Sequence, residues 1–230
     1  VRTQDDITSA VIRTNTIDQV MIFTNQGKMY RLLVNDIPVG TNTFVGVSIK
    51  SLIEMETNEE PSIIYSIYRD TDAKYVLFTT KKGILKKTPL EEYVKTKKKN
   101  GLLAINLSED DAIASVNLIK DEQILLVTAN GMVIRVNSNE ITPSGRVTKG
   151  LKGITLKPDD YIVSTWPIRH DTDDVAIFMT SGLGKRVPLT EFPVQKRAGK
   201  GLMCTKLSST SGTVAAAALV TDEDKVLIIG

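Results

Sequence analysis

The sequence is poor in the residues that build metal sites and catalytic centres. Its 230 residues include one cysteine, Cys204, and one histidine, His170. A lone cysteine excludes an internal disulfide and a cysteine-rich metal site, and it fits a reducing compartment. No second histidine or cysteine lies near His170, so we interpret it as a solvated loop residue. We expect neither a metal ion nor a cofactor.

Long apolar runs are also missing. No run approaches the about 18 residues of a membrane span, and the initial Val-Arg-Thr-Gln-Asp-Asp does not form a signal peptide. Aromatic residues make up 5% of the chain, with no repeated Phe or Tyr among the lysines, which disfavours stacking sites for single strands. The segment from Gly182 to Lys185 lacks the spacing of a phosphate loop, and no serine is marked as an activated nucleophile. We expect a cytoplasmic protein with no catalytic site.

What the chain does contain is a repeat. A glycine between two apolar runs recurs four times at a spacing of about 50 residues, and a basic residue follows four positions later. Glycine adopts the positive φ that a tight, right-twisted turn requires, so each copy predicts a β-hairpin. The glycines and their basic partners are Gly27 with Arg31, Gly83 with Lys87, Gly131 with Arg135, and Gly182 with Arg186.

Each hairpin is followed by a polar loop and two further apolar segments. Residues 101–107 and 150–156 predict third strands, and residues 112–119 and 161–166 predict fourth strands. Four strands per repeat are typical of propeller blades, so the fold class is all-β with four-stranded antiparallel blades. We expect one domain at 1–230, a fragment of a longer subunit with five or six blades. Its predicted segments are a partial blade at 1–13, full repeats at about 14–70, 71–119, 120–169 and 170–220, and a partial blade at 221–230.

Charge is segregated within each repeat, although the net charge is only +2 at pH 7. Lysines and arginines gather in the hairpins and following loops, as between residues 81 and 101, whereas acids gather where one repeat passes to the next, as at 109–111 and 171–174. If the repeats share one pose, this pattern predicts a positive belt beside negative faces. Such a belt suits curved duplex DNA, because Lys and Arg replace condensed counterions without reading sequence. Bending costs several kcal/mol, which many phosphate contacts must offset.

Three stretches carry a resemblance to a known family. They are residues 23–32, which lead to Asp36-Ile-Pro38; residues 99–107; and residues 182–189, which lead to Gln195-Lys-Arg-Ala-Gly-Lys-Gly201. The chain resembles the C-terminal domain of DNA gyrase A, a DNA-wrapping β-pinwheel. The heptapeptide at 195–201 looks like the family's signature box, and residues 145–150 look like a weaker copy. Lys196 and Ala198 depart from the family's best boxes, and the box of the first blade would lie before Val1.

The resemblance implies a function as well as a fold. It implies a rim that wraps DNA with right-handed sense and presents a segment for strand passage during negative supercoiling in bacteria. The family places DNA cleavage and ATP hydrolysis elsewhere, so the resemblance implies a non-catalytic domain of an ATP-dependent type II topoisomerase. The implied partners are double-stranded DNA, the remainder of gyrase A, and gyrase B, with no membrane. We expect the isolated domain to be monomeric and nucleoid-associated.

The residues predicted to contact DNA lie in the hairpins and the loops that follow them. In the loops, glycines would let the backbone approach phosphate while cations neutralise it. Replacement of the lysines at 97–99 is expected to weaken DNA binding equally at all sequences. The full set is Lys28, Arg31, Lys82, Lys86, Lys87, Lys95, Lys97, Lys98, Lys99, Arg135, Arg146, Lys149, Lys152, Lys185, Arg186, Gln195, Lys196, Arg197, Gly199, Lys200 and Gly201.

Two alternatives remain open from the sequence. The C-terminal domain of topoisomerase IV shares the pinwheel but usually has eroded boxes and fewer blades. A protein-interaction propeller would use the same loops to bind an acidic partner and would not bend DNA. A propeller enzyme is disfavoured, because no set of acid, base or metal ligands recurs.

Overall fold

The structure is a computed structural model that describes residues 11–68, 71–95, 100–171 and 173–226. Lys97, Lys98 and Lys99, and most of the predicted partial blade at 1–13, lie outside these residues. The chain divides into two compact units, which are taken separately. One comprises Val1–Asp72, Lys95–Ala104 and Lys225–Gly230, and the other comprises Ala73–Val94 and Ile105–Asp224.

The first unit contains one four-stranded sheet in the order β3-β1-β2-β6. Its strands are β1 (Gln19–Thr24), β2 (Lys28–Leu33), β3 (Pro61–Ile67) and β6 (Leu102–Leu103), with 3-10 turns at Val34–Asp36 and Ile49–Ser51. Val20, Ile22 and Tyr30 are buried in its core. The buried Glu59 accepts hydrogen bonds from the Thr24 hydroxyl at 2.6 Å and the Tyr30 hydroxyl at 2.7 Å.

The second unit contains three sheets. The first has the order β10-β5-β4-β7 and comprises β4 (Tyr75–Thr80), β5 (Ile84–Pro89), β7 (Ile113–Ile119) and β10 (Leu151–Lys152), with helix α1 at Glu91–Val94. The second comprises β8 (Gln123–Thr128), β9 (Met132–Asn137), β11 (Ile162–Ile168), β14 (Val194–Gln195) and β15 (Leu202–Met203). The third has the order β13-β12-β16, from β12 (Asp174–Met179), β13 (Gly184–Pro188) and β16 (Val214–Val220). Short 3-10 turns lie at Ser138–Glu140 and Leu189–Glu191.

The four predicted hairpins are confirmed. Gly27, Gly83, Gly131 and Gly182 all have positive φ, between 73° and 87°. Each hairpin pairs antiparallel, β1 with β2, β4 with β5, β8 with β9 and β12 with β13. Their first strands are almost entirely buried, as expected for inner strands between packed neighbours. The all-β class follows as the sequence predicts; among the described strands the pairing is antiparallel except between β14 and β9, which are parallel.

The predicted third strands differ from the prediction in length and in partner. Residues 101–107 and 150–156 were expected to form full strands of their own repeat, but only Leu102–Leu103 and Leu151–Lys152 are strands. Each pairs with the hairpin of the preceding repeat, β6 with β2 and β10 with β5, and β15 pairs likewise with β9. The outer strand of each of these sheets therefore comes from the following repeat, a non-local choice that local sequence pattern does not reveal.

A repeated hydrogen bond fixes this exchange. In three repeats a backbone N–H donates to the carbonyl of a hairpin glycine: Ala104 to Gly27 at 2.8 Å, Gly153 to Gly83 at 2.8 Å and Cys204 to Gly131 at 2.9 Å. Within the described residues, a Cβ built on the fourth hairpin glycine, Gly182, has no heavy atom within 4 Å. The fourth hairpin consequently has a bare outer edge at β13 in the part of the chain that the structure describes.

None of the described helices is long and apolar enough to cross a bilayer.

Candidate nucleic-acid interface

The loop at residues 195–201, here called the fourth loop, is held at both ends by β9. Before it, β14 pairs parallel with β9, Gln195 opposite Val136; after it, β15 pairs antiparallel, Leu202 opposite Val133. The loop thus bulges from a single strand between two short ladders. Its ends are fixed by main-chain hydrogen bonds, which do not depend on side chains.

The middle of the fourth loop lies on a neighbouring segment, residues 153–155. The Ala198 N–H donates to the Gly153 carbonyl at 2.7 Å, and the Thr155 N–H donates to the Gly199 carbonyl at 2.8 Å. The Thr155 hydroxyl donates to the Ala198 carbonyl at 2.8 Å. Ala198 and Gly201 both have positive φ, 66° and 74°. A Cβ at Gly201 would lie 2.5 Å from the Val133 carbonyl oxygen, so only glycine fits there.

Arg197 is bound to the protein rather than directed outward. Its N–H donates to Glu140 Oε2 at 3.1 Å, and its Nη1 donates to the Lys152 carbonyl at 2.5 Å. Arg146, four residues before Gly150 as Arg197 is before Gly201, behaves alike: its N–H donates to Glu92 Oε2 at 3.3 Å, and its Nε lies 3.7 Å from the same oxygen. These two predicted DNA contacts shape the loops from within.

Five predicted cations in and beside the loops share two properties, exposure and a lack of side-chain partners among the described residues. In the described parts of the chain their side chains make no hydrogen bond or ion pair. The fourth loop contains Lys196 and Lys200 and forms hydrogen bonds to residues 152–155. Lys152 therefore lies on the segment that contacts this loop. Gln195 and Gly199 of the same loop are half-buried. The five exposed cations are Lys149, Lys152, Lys185, Lys196 and Lys200.

Lys86 and Lys87 are buried, which corrects their assignment as surface contacts. Lys86 Nζ donates to the hydroxyls of Thr88 and Tyr93, and it lies 5.2 Å from the Phe78 ring centroid. Burial lowers its pKa to about 8, with opposing effects from Glu92 and Arg146. Lys87 Nζ donates to the Ser138 carbonyl at 2.7 Å. A cation without access to solvent cannot touch a phosphate in this conformation.

The cations four residues after the hairpin glycines also have partners within the protein. Arg135 is buried and donates to Gln123 and Asp171. Arg186 is exposed and pairs with Asp174 at 3.1 Å and Asp222 at 2.9 Å. Asp171 lies shortly after β11, and Asp222 lies shortly after β16. The position four residues after the hairpin glycine therefore forms ion pairs within the chain at Arg135 and Arg186, and Arg31, in the first repeat, is half-buried.

The remaining predicted cations, Lys28, Lys82 and Lys95, have varied surroundings. Lys28 is half-buried and pairs with Glu56, with Glu59 at 3.9 Å. Lys82 is exposed, and its Nζ donates to the Glu109 carbonyl at 3.0 Å. Lys95 is exposed.

The acids predicted to form negative faces also have local roles. Asp111 accepts from the Lys82 N–H at 3.0 Å and Asp160 accepts from the Asn130 N–H at 2.9 Å, each beside a hairpin glycine. These carboxylates stabilise the turns that the glycines open.

Comparison with known proteins decides the family. The model of the family described as DNA gyrase C-terminal domain, beta-propeller, matches residues 18–52, 74–120, 122–165 and 173–221. The chain belongs to this gyrase C-terminal domain family. Each of the four matched segments contains one of the four hairpins, and the family's propeller description agrees with the observed sheets.

Relatives and solved structures agree with the family. The DNA gyrase A subunit of Lawsonia intracellularis is 32% identical over 98% of this chain and 28% of its own length. That of Staphylococcus epidermidis is 31% identical over 98% of the chain and 25% of its own length. This chain thus spans about a quarter of these relatives.

Solved structures of two kinds of C-terminal domain are similar to the chain. A crystal structure of the C-terminal domain of DNA topoisomerase IV has a TM-score of 0.79 at 30% identity, over 91% of this chain and 65% of that one. A structure of the DNA gyrase A C-terminal domain has a TM-score of 0.79 at 25% identity, over 92% of this chain and 68% of that one. Both likenesses extend over nearly all of this chain, so the β-pinwheel class predicted from the sequence is confirmed.

Proposed function

We propose that this chain binds duplex DNA without sequence specificity and bends it into a right-handed wrap, which presents a segment for strand passage by gyrase during negative supercoiling. The carrying observation is the fourth loop. Its main chain is fixed on β9 and on residues 153–155, while Lys196 and Lys200 stay exposed and unpaired within the described residues. Cations on a fixed main chain bind phosphate with little ordering cost.

The proposed contact set is narrower than the sequence-based one. It keeps the exposed loop residues Lys82 and Lys95, and also the lysines at 97–99, which lie outside the described residues. Its other members are the polar Gln195 and the exposed cations Lys149, Lys152, Lys185, Lys196 and Lys200. It omits Lys86 and Lys87, because burial prevents contact. Arg135, Arg146 and Arg197 act through the loops and strands they hold.

The domain is proposed to act without catalysis of its own. Among the described residues no group of three or more His, Cys, Asp or Glu could hold a metal ion. The proposed partners are the remainder of gyrase A, and gyrase B, in the cytoplasm. The proposed organisation is one domain of four full repeats, flanked by parts of two more.

The test is ligation of a nicked circular plasmid in the presence of the purified chain. Right-handed wrapping traps positive writhe, so the closed circles should carry a positive change in linking number that grows with protein. An unchanged linking number would contradict chiral wrapping. A variant with Lys196 and Lys200 replaced by alanine serves as the matched control and should trap fewer turns.

A second candidate is the corresponding domain of topoisomerase IV. The similarity to the topoisomerase IV structure favours it, at a TM-score equal to that of the gyrase domain. Against it, the Lawsonia and Staphylococcus relatives that match nearly the whole chain are gyrase A subunits. Binding and bending of linear duplex without trapped writhe would favour the topoisomerase IV domain.

A further inference from the structure

Two carboxylates lie in contact with the loops that carry the proposed DNA contacts. Glu140 ends the 3-10 turn Ser138–Glu140, and its Oε2 accepts from the Arg197 N–H at 3.1 Å. Glu92, in α1, accepts from the Arg146 N–H at 3.3 Å. In each case the acid belongs to the repeat before the loop. Each acid thus holds the loop of the next repeat by its main chain.

The geometry is the same in both repeats. Arg146 and Arg197 lie four residues before Gly150 and Gly201, the glycines directly before the outer strands β10 and β15. Both glycines have positive φ, 96° and 74°. The acids stand in the short helical segment directly after the hairpin. Because a carboxylate at the same place in two repeats accepts the same main-chain hydrogen bond, we interpret the contact as a feature of the repeat rather than a chance surface contact.

Electrostatics alone would argue against acids here. A carboxylate beside cations that bind phosphate repels the DNA and lowers its affinity. A hydrogen bond from a main-chain N–H to a carboxylate has the opposite effect, because it orders the loop before DNA arrives. The two effects can be separated, since glutamine keeps the acceptor oxygen and removes the charge.

We propose that Glu140 and Glu92 are positioning residues of the DNA interface, which fix the box-type loops through main-chain hydrogen bonds at Arg197 and Arg146. This inference rests on the proposed function. The acids do not touch DNA. They hold the loop main chain in the conformation in which Lys196, Lys200 and Lys149 are displayed.

The test compares Glu140→Gln with Glu140→Ala in the 230-residue chain. Both remove one negative charge, so simple electrostatics predicts equal, slightly tighter binding to a duplex of random sequence. Loss of the neutral hydrogen bond that glutamine retains and alanine lacks predicts that E140A binds about fivefold to tenfold more weakly than E140Q. Equal affinities of the two variants would overturn the proposal.

A second readout needs no DNA. Amide hydrogen exchange of Arg197 and Ala198 should be faster in E140A than in wild type, with E140Q between them, while exchange of the β9 interior is unchanged. Failure of the wild-type chain to bind DNA would overturn the proposed function but leave this readout intact. Unchanged exchange at Arg197 in E140A would overturn the positioning role whatever the DNA result.

Glu191 provides the matched control. It occupies the same place in the fourth repeat, in the 3-10 turn Leu189–Glu191, and its side chain makes no hydrogen bond or ion pair within the described residues. Because Glu191 holds no loop there, Glu191→Ala and Glu191→Gln should bind DNA equally and slightly more tightly than wild type. A loss of affinity in E191A equal to that in E140A would contradict the assigned role of the loop contact.

Discussion

The fourth loop, residues 195–201, and the corresponding first loop, residues 40–46, share a length and differ in almost everything else. Each begins two residues after a proline, Pro193 or Pro38, and each ends on a glycine with positive φ, 74° at Gly201 and 93° at Gly46. The fourth loop reads Gln-Lys-Arg-Ala-Gly-Lys-Gly and the first reads Gly-Thr-Asn-Thr-Phe-Val-Gly. The first loop therefore keeps the length and the final turn glycine but carries no charged side chain.

Their surroundings differ as well. A Cβ at Gly201 would meet the Val133 carbonyl, whereas one at Gly46 has no described heavy atom within 4 Å. Val45, in the place of Lys200, is 81% exposed, and Phe44, in the place of Gly199, is 48% exposed. Loop length and turn glycine are thus properties of the repeat, while the cations are local. We conclude that the repeats contribute unequally to a positive surface, rather than forming the uniform belt expected from charge counting.

The largest expected effect tests the shared frame. Gly201→Ala should lower the free energy of unfolding by about 3 kcal/mol, because the new Cβ meets a main-chain oxygen at a positive φ. Gly46→Ala should lower it by only about 1 kcal/mol, since a Cβ there meets no described heavy atom and the expected cost is strain at the positive φ. Chemical denaturation of both variants measures the difference. Equal losses would show that the crowding at Gly201 has no energetic consequence.

The third loop, residues 145–150, extends the comparison to a buried charge. Gly150 lies against Lys86, whose pKa is lowered to about 8 by burial, with Glu92 and Arg146 opposing each other and Tyr93 alongside. Between about pH 8 and 10 the unfolded chain binds more protons at this lysine than the folded one. Its contribution to the unfolding free energy therefore rises with pH in that window.

Lys86→Met should raise stability at about pH 7 by about 2 kcal/mol, because it removes a buried cation and keeps a side chain of similar length. The gain should shrink as pH rises from about 8 to 10, where wild-type Lys86 becomes neutral in the folded state. Thermal melts of both proteins across that range measure the change. A gain independent of pH would mean that Lys86 does not titrate in that window.

A reciprocal exchange between the loops tests the charge difference directly. Lys196→Thr with Lys200→Val gives the fourth loop the first loop's residues at those positions. Duplex affinity should fall about tenfold at low salt, and the slope of log affinity against log salt should flatten by about 0.9 for each phosphate that is no longer neutralised. Fluorescence anisotropy with a labelled duplex at several salt concentrations measures both.

The converse pair, Thr41→Lys with Val45→Lys, should raise affinity by a smaller factor, about threefold, because no described residue packs closely on Gly46 as the Val133 main chain packs on Gly201. A gain as large as the decrease in the other pair would show that loop support does not matter. No change in either pair would remove both loops from the interface.

The smallest effect concerns Ala198, which holds a positive φ of 66° without being glycine. Ala198→Gly should raise the unfolding free energy by about 0.5 to 1 kcal/mol by relieving strain. Thr43→Gly, at the equivalent place in the first loop, is not expected to stabilise, since Thr43 is not among the residues with positive φ. Denaturation midpoints of the two variants decide whether the strain is real.

Much of the fold was predictable because its signals are local. Each Gly-centred turn between apolar runs specifies a hairpin by backbone sterics alone, and all four hairpins form where predicted. The length and the partner of the outer strands β6 and β10 were not predictable. Each strand pairs with another repeat, and a two-residue strand leaves no periodic pattern in the sequence. Lys86 and Lys87 were misplaced because counting cations assigns each to the surface, whereas Lys86 finds Tyr93 and Thr88 inside.

The acids at the loops were also missed, although a signal exists. An acidic residue recurs nine positions after the hairpin glycine, as Glu92 does after Gly83, Glu140 after Gly131 and Glu191 after Gly182. Counted as charge, such acids opposed the DNA hypothesis. The main-chain hydrogen bond to Glu140 becomes visible only when the loop of the next repeat is in place.

The most direct measurement is the affinity of the 230-residue chain for linear duplex DNA as a function of salt. Binding through several exposed loop cations predicts a fall of about a thousandfold between about 50 and 200 mM salt, alike for duplexes of unrelated sequence. A shallow dependence, or no binding at the lower concentration, would contradict the claim that these loops form a DNA interface.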